Sequence, residues 1–531
     1  MRPAGRSELD SLYFTYPHFD APAPDAPRTD PAPVVIVGAG PVGMTAALEL
    51  ARHGQRCVLI DAKDTFNDGS RAICIARASY HILDRVGAIA PFLEKSLPWT
   101  MGRSFYRGRQ VLEFSMPDSP NDKYRPMYNI EQQYIEQYLW DAIAREPLIE
   151  TRWQTRLEAI EAGAGGAVLT LADPHGRYDL PARWVLAADG ARSTVRQMLG
   201  LRLRGRNFEG RYVIADVRMQ HDYPTIRRAL FDPACRPGGT VLIHRQPDDI
   251  WRIDYQLRDG ESEAEAISEE NVRASVTAVL EDIGHSGPWD LEWWSIYSAN
   301  TLALDDYRHG PVVFIGDSAH IVPIFGVRGL NNGMADAQNI GWKLALVLSG
   351  QAGEGLLDSY TPERRGATLD VFANASKSAR FMTPPSFGWS LMRDAALSLA
   401  LHHPWAGELA NPRQMAPYTY DQSPITAPDA GGPGGPKPGA MMSDVALGDG
   451  FLSDQMGPWF TLLWIGEAPA LTHPLLKVVA LPAEGTVARA WGAAPGSAWL
   501  IRPDLHVAGR WAKAEPAAIL AFLDALLERR A

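Results

Sequence analysis

Three short segments of this chain combine glycines with a carboxylate at spacings suited to a phosphorylated ligand. The first is Val34-Val-Ile-Val-Gly38-Ala-Gly40-Pro41-Val-Gly43, answered by Asp61 at the end of Cys57-Val-Leu-Ile60. The second is Trp184-Val-Leu-Ala-Ala-Asp189-Gly190-Ala-Arg192-Ser193. The third is Val312-Val-Phe-Ile-Gly316-Asp317-Ser318-Ala-His320-Ile-Val-Pro323, which continues as Gly326-Val-Arg328-Gly329-Leu330-Asn331-Asn332-Gly333. In the first, Gly38 permits a tight turn, Gly40 lets backbone N–H groups approach a pyrophosphate, and Gly43 allows close helix–strand packing. A helix N-terminus favours the phosphate charge, and Asp61, with its neighbour Ala62, stands where a ribose would present its hydroxyls. An adenine dinucleotide is therefore expected near the N-terminus, and this segment alone does not separate NAD from FAD.

The elements around these residues read as a strand, a turn, a helix and a second strand. β-Branched residues precede Gly38, and Met44, Ala47, Leu48 and Ala51 recur at helical spacing after it. A further apolar strand runs into Asp189-Gly190, with a helix just beyond. Asp-Gly turns are common, so this pair read alone is equally a structural turn. A third buried strand ends at Gly316-Asp317, where a carboxylate could hold sugar-alcohol hydroxyls or simply shape a turn. The following helix carries an apolar stripe at Met334, Ala337, Gly341, Leu344, Ala345 and Leu348. Its start directs unpaired N–H groups and a positive dipole end at whatever lies before it. A flavin ring suits that position, because its reduced form is negative near N1 and the C2 carbonyl.

With 531 residues, the chain has room for about three domains. The net charge of −11 and pI near 5.7 argue against nucleic acid as a partner. No apolar run reaches the length of a membrane span, and no secretory leader pattern opens the chain, so a cytoplasmic protein is expected. Cys57, Cys74 and Cys235 show no metal-ligand spacing and read as reduced thiols. Residues 1–33 form a Pro-rich arm that Tyr13, Phe14, Tyr16 and Phe19 could pin to a neighbouring surface. The α/β pattern of 34–206 resumes at 298–423, and 207–297 reads as an inserted sheet, with further strands of that unit within 103–125. A Pro/Gly-rich linker at 424–440 precedes a small β-rich unit at 441–531 that ends in a helix.

Taken in order, the three motifs resemble those of the class A flavoprotein monooxygenases, the aromatic hydroxylases of the para-hydroxybenzoate and phenol hydroxylase type. The third motif keeps Gly316, Asp317, His320, Pro323 and Asn331 of the family pattern, while Ser318 replaces an alanine and Ile324 a second proline. Its Gly-Val-Arg loop is closest to the hydroxyphenylpropionate and phenol hydroxylase branch. The resemblance implies an α/β fold with a Rossmann-like FAD-binding domain interrupted by a sheet-containing substrate domain. It also implies a thioredoxin-like C-terminal domain, which here lacks Cys-x-x-Cys and would serve packing or dimerisation; a homodimer is left open.

By the same resemblance, Gly38, Gly40, Pro41, Gly43, Asp61 and Ala62 bind the ADP half of non-covalent FAD. Asp317 then holds the ribitol, Gly316 shapes its turn, and Gly329, Leu330, Asn331 and Asn332 face the isoalloxazine. Arg71 lies near the pyrophosphate, Gln132 of the Gln132/Glu136/Leu139 helix contacts the cofactor with Gln133 as the shifted alternative, and Asp189 and Arg192 serve FAD and nicotinamide contacts. NADPH or NADH acts as a transient co-substrate, and O2 reacts through a C4a-hydroperoxyflavin to hydroxylate a small phenolic substrate. The Pro323 carbonyl stands near flavin and substrate, whereas His320 is read mainly as structural. A substrate-facing acid or base is sought among His244, Arg252, Asp254, Tyr255 and Gln256. Strand alternation puts Trp251, Ile253, Tyr255 and Leu257 on one face, and if that face lines the pocket Tyr255 contacts the substrate hydroxyl. A core tyrosine and a structural His244 are the competing readings. The same motifs would also serve a non-aromatic monooxygenase or epoxidase, or a flavin-binding protein without turnover.

Overall fold

The computed structural model describes residues 11–24, 29–69, 71–258, 260–323, 326–411, 416–429 and 434–528. Its first sheet sets Val312–Phe314, Gly176–Ala187, Ala32–Val37, Cys57–Ile60 and Ile149–Arg152 side by side, all parallel. Val34, Val35, Ile36, Val185 and Leu186 are fully buried, as unbroken apolar runs must be when a parallel sheet is covered on both faces. An antiparallel ribbon, Arg156–Gly163 with Gly166–Asp173, extends from Gly176–Ala187. Helix Pro41–Arg52 opens with proline at its first positions, where a missing N–H leaves nothing unpaired. It packs along helix Gly329–Leu348.

Because these strands run parallel, the residues following each of them gather on one edge of the sheet. Gly38, Asp61, Asp189 and Asp317 follow four adjacent strands, so segments up to 279 positions apart (317 minus 38) meet there. Ligands of open α/β sheets bind at this carboxyl edge.

The second sheet has eight strands in the order His320–Ile321, Trp289–Ala303, Arg204–Met219, Ile250–Gln256, Thr240–Arg245, Arg227–Phe231, Met101–Tyr106 and Arg109–Ser115. It reaches beyond 207–297 at both ends, because Met101–Tyr106 adds in parallel beside Arg227–Phe231 and His320–Ile321 closes the other edge. One face carries Val213, Val241, Ile243, Ile253 and Tyr255 and packs on Val272, Val276 and Leu280 of helix Glu269–Asp282. The other carries Tyr212, Ala229 and Leu242 and packs with Ala76, Met127 and Val327 of the first domain.

The arm bridges both sheets. Glu292 of the second sheet accepts from Ser11 Oγ at 2.8 Å and Leu12 N at 2.6 Å. Phe19 stacks on Trp153 at 4.2 Å between ring centroids, while Tyr13 and Tyr16 bond to Gln133. The described part of 424–440 is packed rather than loose. Ile425 is buried, Ala427 N bonds to Ala508 O at 2.7 Å, and Gly434 and Gly435 lie against Trp491. Beyond it, Leu476–Leu481, Phe460–Ile465, Ala498–Ile501 and Val507–Trp511 form a four-stranded sheet, backed by helix Pro516–Leu527. Leu462, Leu500 and Leu523 share a core with Trp342, Leu346 and Leu356 of the first domain.

Candidate functional site

The glycine turn leaves no room for side chains at two of its three glycines. Gly38 has φ +108°, and a Cβ there would sit 2.5 Å from Ala188 O; one on Gly43 would sit 1.9 Å from Gly38 O. At Gly40 the nearest atom is Asn67 Nδ2 at 3.8 Å, so that position opens outward. Gly38 and Gly43 thus serve backbone packing, and Gly40 leaves space for an approaching group. Asp61 orients the turn: its carboxylate accepts from Ala39 N at 2.8 Å and Lys63 N at 2.9 Å. Ala62 beside it is exposed.

Gly316, with φ +62°, turns the chain so that Asp317 projects into open space while Ser318 faces inward. Ser318 Oγ donates to Ala187 O at 2.5 Å, tying two strand ends in a way an alanine cannot. Asp317 is exposed at this edge of the sheet yet has protein on its other sides, and that burial raises its pKa against the opposing pull of His320 and Arg71. Arg71, exposed on its loop, therefore acts on the same space as Asp317. Arg196 joins the second motif to the third, donating to Ser318 O at 2.8 Å and Ala191 O at 2.7 Å. Asp189 accepts from Val195 N at 3.0 Å, and its second oxygen is buried with no partner among the described residues. Arg192 is exposed beside it.

Helix Gly329–Leu348 begins against this turn, with Gly333 packed on Val42 and Gly316. Its first intrahelical amide is that of Asn332, which bonds to Arg328 O, so the amides of Gly329, Leu330 and Asn331 precede the helical ladder. The side chains of Asn331 and Asn332 are turned to structural work. Asn331 Oδ1 accepts from Ala76 N at 2.8 Å and Ser79 Oγ at 2.7 Å, and Asn332 Oδ1 accepts from Arg364. Only their backbones are left to face a ligand. His320 is fully buried and bonded to Asp336 at 2.6 Å, which gives it a structural position. Burial opposes charge on Asp336, but Arg364 and His320 outweigh it and lower its pKa. Pro323 is buried at the start of the loop; Ile324 lies outside the described residues.

Gln132 and Gln133 separate cleanly. Gln132 Oε1 accepts from Arg71 N at 3.3 Å and Ala72 N at 3.2 Å, while Glu136 accepts from Gln132 and from Asn67. Gln133 is buried under the arm. Helix Gln132–Ile143 thereby holds the loop that carries Arg71.

The alternation on Ile250–Gln256 is as expected, but the opposite face meets the first domain. Tyr255 packs into the core under helix Glu269–Asp282 with Arg236 over its ring, which removes it from the face that meets the first domain. Apolar neighbours on that face chose the helix side, and the polar Arg252 and Asp254 were left on the other. Arg252 is bidentate to Asp216 at 2.7 and 2.8 Å and reaches Arg71 O at 3.3 Å. His244, paired across the strands with Arg252, is buried on this inner face, and burial together with Arg227 and Arg252 depresses its pKa to about 3. It is neutral at physiological pH. Asp254 is pushed up to about 7 by burial, with Arg252 opposing. Two shallow outer depressions, lined by residues such as Asp118 and Arg125 or Trp140 and Glu146, hold none of the motif residues.

FAD suits this edge of the sheet. Helices Pro41–Arg52 and Gly329–Leu348 both start without a side-chain cap or a first-turn carboxylate, leaving two positive ends for phosphate and for the electron-rich edge of a flavin. Asp317 and the unpartnered oxygen of Asp189 offer acceptors, and Gly40 leaves the space a pyrophosphate requires.

Comparison with known proteins agrees. The chain is 28% identical over 364 residues to a 3-(3-hydroxy-phenyl)propionate/3-hydroxycinnamic acid hydroxylase of Klebsiella pneumoniae (strain 342), covering 68% of this chain and 64% of that protein. A Burkholderia vietnamiensis relative of the same name is 29% identical over 403 residues, 74% of this chain and 62% of its own. The chain thus spans just under two thirds of these relatives' length. In fold it is similar to the flavin-dependent monooxygenase PieE, solved with FAD and substrate, with a TM-score of 0.77 and 21% identity over 94% of this chain and 100% of that one. Aklavinone-11 hydroxylase, solved with FAD and aklavinone, gives 0.75 and 23% over 95% and 100%. Residues 31–375, well over half of the chain, match the family profile described as FAD binding domain, and the protein belongs to that FAD-binding family.

Proposed function

We propose that this protein is an FAD-dependent monooxygenase that uses NADPH or NADH and O2 to hydroxylate a small phenolic substrate, acting in the cytoplasm. The observation that carries the reading is the meeting of four motif residues at one sheet edge, roofed by a second sheet whose inner face is partly polar. Hydroxylases among the relatives lend it support. Bound FAD would supply hydride acceptance and activation of O2.

The protein's own contribution is binding, orientation and dryness. Gly38, Gly40, Pro41, Gly43 and Asp61 would hold the adenosine diphosphate end. Gln132 sets the backbone of Arg71 for the pyrophosphate, and Asp317 takes the ribitol. The amides of Gly329, Leu330 and Asn331 would favour negative charge on the reduced ring. Tyr212, Ala229, Leu242 and Tyr297, packed with Ala76 and Val327, would help exclude water from the side of a bound ring that faces the second sheet. For the C-terminal unit we propose a thioredoxin-like fold, supported by its one parallel and two antiparallel strand pairs.

The test is a visible spectrum of the purified protein, then NAD(P)H oxidation across a phenol panel with product identification. FAD-bound protein that no phenol stimulates would remove the reading. Asp317→Ala is expected to lower FAD affinity at least about tenfold, the weight of a hydrogen bond to a charged group; equal FAD content after dialysis would contradict its assignment.

A further inference from the structure

Nine arginines are buried among the described residues, and eight of them have a partner. Arg252 and Arg502 fork onto carboxylates, Arg364 onto Asp336, and Arg196 onto two carbonyls. Arg152, Arg236, Arg328 and Arg393 reach Glu150, Glu261, Val371 O and Asp394. Arg227 is 5% exposed, and its guanidinium makes no hydrogen bond or ion pair with any described residue. Its neighbours on the same sheet face are equally unfulfilled. His244 is 6% exposed with Nδ1 unpartnered, and Asp254 is 5% exposed with Oδ1 unpartnered. Asp254 lies within electrostatic reach of Arg227 without closing a salt bridge.

Buried polar groups are normally satisfied, and a guanidinium is among the costliest to leave without a partner. Here three such groups converge on one wall. That wall faces the proposed flavin position. Tyr297 on it donates to Val322 O at 2.7 Å, and Ala76 across from it is held by Asn331 at the start of the flavin-facing helix. A planar fork of five N–H donors matches a two-oxygen anion and has no acceptor role.

We infer that Arg227, flanked by His244 and Asp254, is the receptor for an anionic oxygen of the substrate, a carboxylate or an ionised phenol. The inference rests on the hydroxylase reading for the word substrate, but anion binding itself is measurable without turnover. Neutral His244 can donate or accept beside the anion, and Asp254 limits entry to ligands that displace its influence on the fork. Phenols that carry a negative group would therefore be preferred over neutral ones of the same shape.

Calorimetry on the FAD-loaded protein tests this with two matched pairs: 3-phenylpropionate against its methyl ester, and 4-nitrophenolate against 4-nitroanisole. At least one anion should bind about tenfold or more tighter than its neutral partner, as hydrogen bonds to a charged group require. The pair that discriminates identifies carboxylate or phenolate as the source. Arg227→Met should abolish the difference, and Arg227→Lys should keep part of it. Should Arg227→Met fail to take up FAD, Asp254→Asn decides: removing the neighbouring carboxylate should tighten anion binding. Equal binding within both pairs, preference retained in Arg227→Met, or weaker anion binding in Asp254→Asn would each overturn the assignment. Anion preference without phenol-stimulated NAD(P)H oxidation would instead leave the receptor standing and remove the hydroxylase reading.

Discussion

Gly43→Ala should leave the protein poorly folded and free of FAD, while Gly40→Ala should fold normally and lose FAD alone. The added methyl at position 43 would lie 1.9 Å from Gly38 O and 3.2 Å from Ala188 Cβ. Both are part of the sheet and its turn, so neither can retreat as a flexible side chain would. Helix Pro41–Arg52 would have to lift off the strand it covers, and its fully buried Met44, Ala47 and Leu50 with it. Forced overpacking of this kind costs about 1–3 kcal/mol when side chains can adjust, and the upper end or beyond is expected where backbone is the obstacle. At position 40, φ is −78° and the nearest atom lies 3.8 Å away, so alanine is accommodated. Any loss there would report the ligand and not the fold. Circular dichroism with FAD content on both variants separates the two effects, and Gly40→Ala retaining FAD like the parent would show that no phosphate approaches that glycine.

Glu363→Gln is the second large effect, expected to destabilise the protein by about 3 kcal/mol. Glu363 is fully buried and accepts from five donors: Arg502 at 2.6 and 2.9 Å, Lys343 at 2.7 Å, Asn339 at 2.7 Å and Ser423 at 2.5 Å. These partners span helix Gly329–Leu348, the packed 424–440 approach and the C-terminal unit, so one carboxylate joins three parts of the chain. Glutamine keeps the shape but leaves two buried cations facing only Asp504. Breaking a buried pair typically costs about 3–5 kcal/mol, and the low end is expected because Lys343 can escape. Burial lowers the Lys343 pKa to about 8 even with Glu363 restoring it. Without that carboxylate it would shed its proton near neutrality.

The pH dependence has a definite sign. Burial opposes charge on Glu363, but Arg502 and Lys343 outweigh it and hold its pKa well below the ordinary 4.5. Its contribution is complete above about pH 4.5 and fades as acid protonates it in the folded state. The stability gap between parent and variant should therefore be widest near neutrality and narrow in acid. Urea titrations followed by tryptophan fluorescence at pH 7 and pH 4 check both statements. An unchanged midpoint at pH 7 would show that the C-terminal unit is held by its apolar contacts with Trp342 and Leu346 alone.

How much was legible beforehand depends on how local the cause is. The glycine turn, Asp61, Gly316-Asp317 and the helices after them rest on interactions within a few residues, and backbone sterics dictate them wherever the chain goes. Parallel strands then bring their ends together, so the meeting of Gly38, Asp61, Asp189 and Asp317 at one edge followed from motifs that are each local. Arg227 gave no such signal. Arg227-Arg228 in a short apolar run reads like two surface arginines, and strand alternation says only that they point to opposite faces. Glu363 likewise looks like one more helical charge until Arg502 arrives from 139 positions away.

The inner face of Ile250–Gln256 makes the same point. Alternation correctly grouped Tyr255 with Trp251 and Ile253, and Arg252 with Asp254, yet the face turned to the first domain was the polar one. Period-two patterning sorts side chains into two sets without saying what covers either. Helix Glu269–Asp282 claimed the apolar set with Val272, Val276 and Leu280, and burial against the first domain left the charged set lining the interior. The three motifs in order, through the family they resemble, were enough to name the cofactor, and the strands before them bring those motifs to one sheet edge. Which side chains the second sheet turns toward the first depended on long-range packing, because that choice is made between elements and no single stretch of chain encodes it.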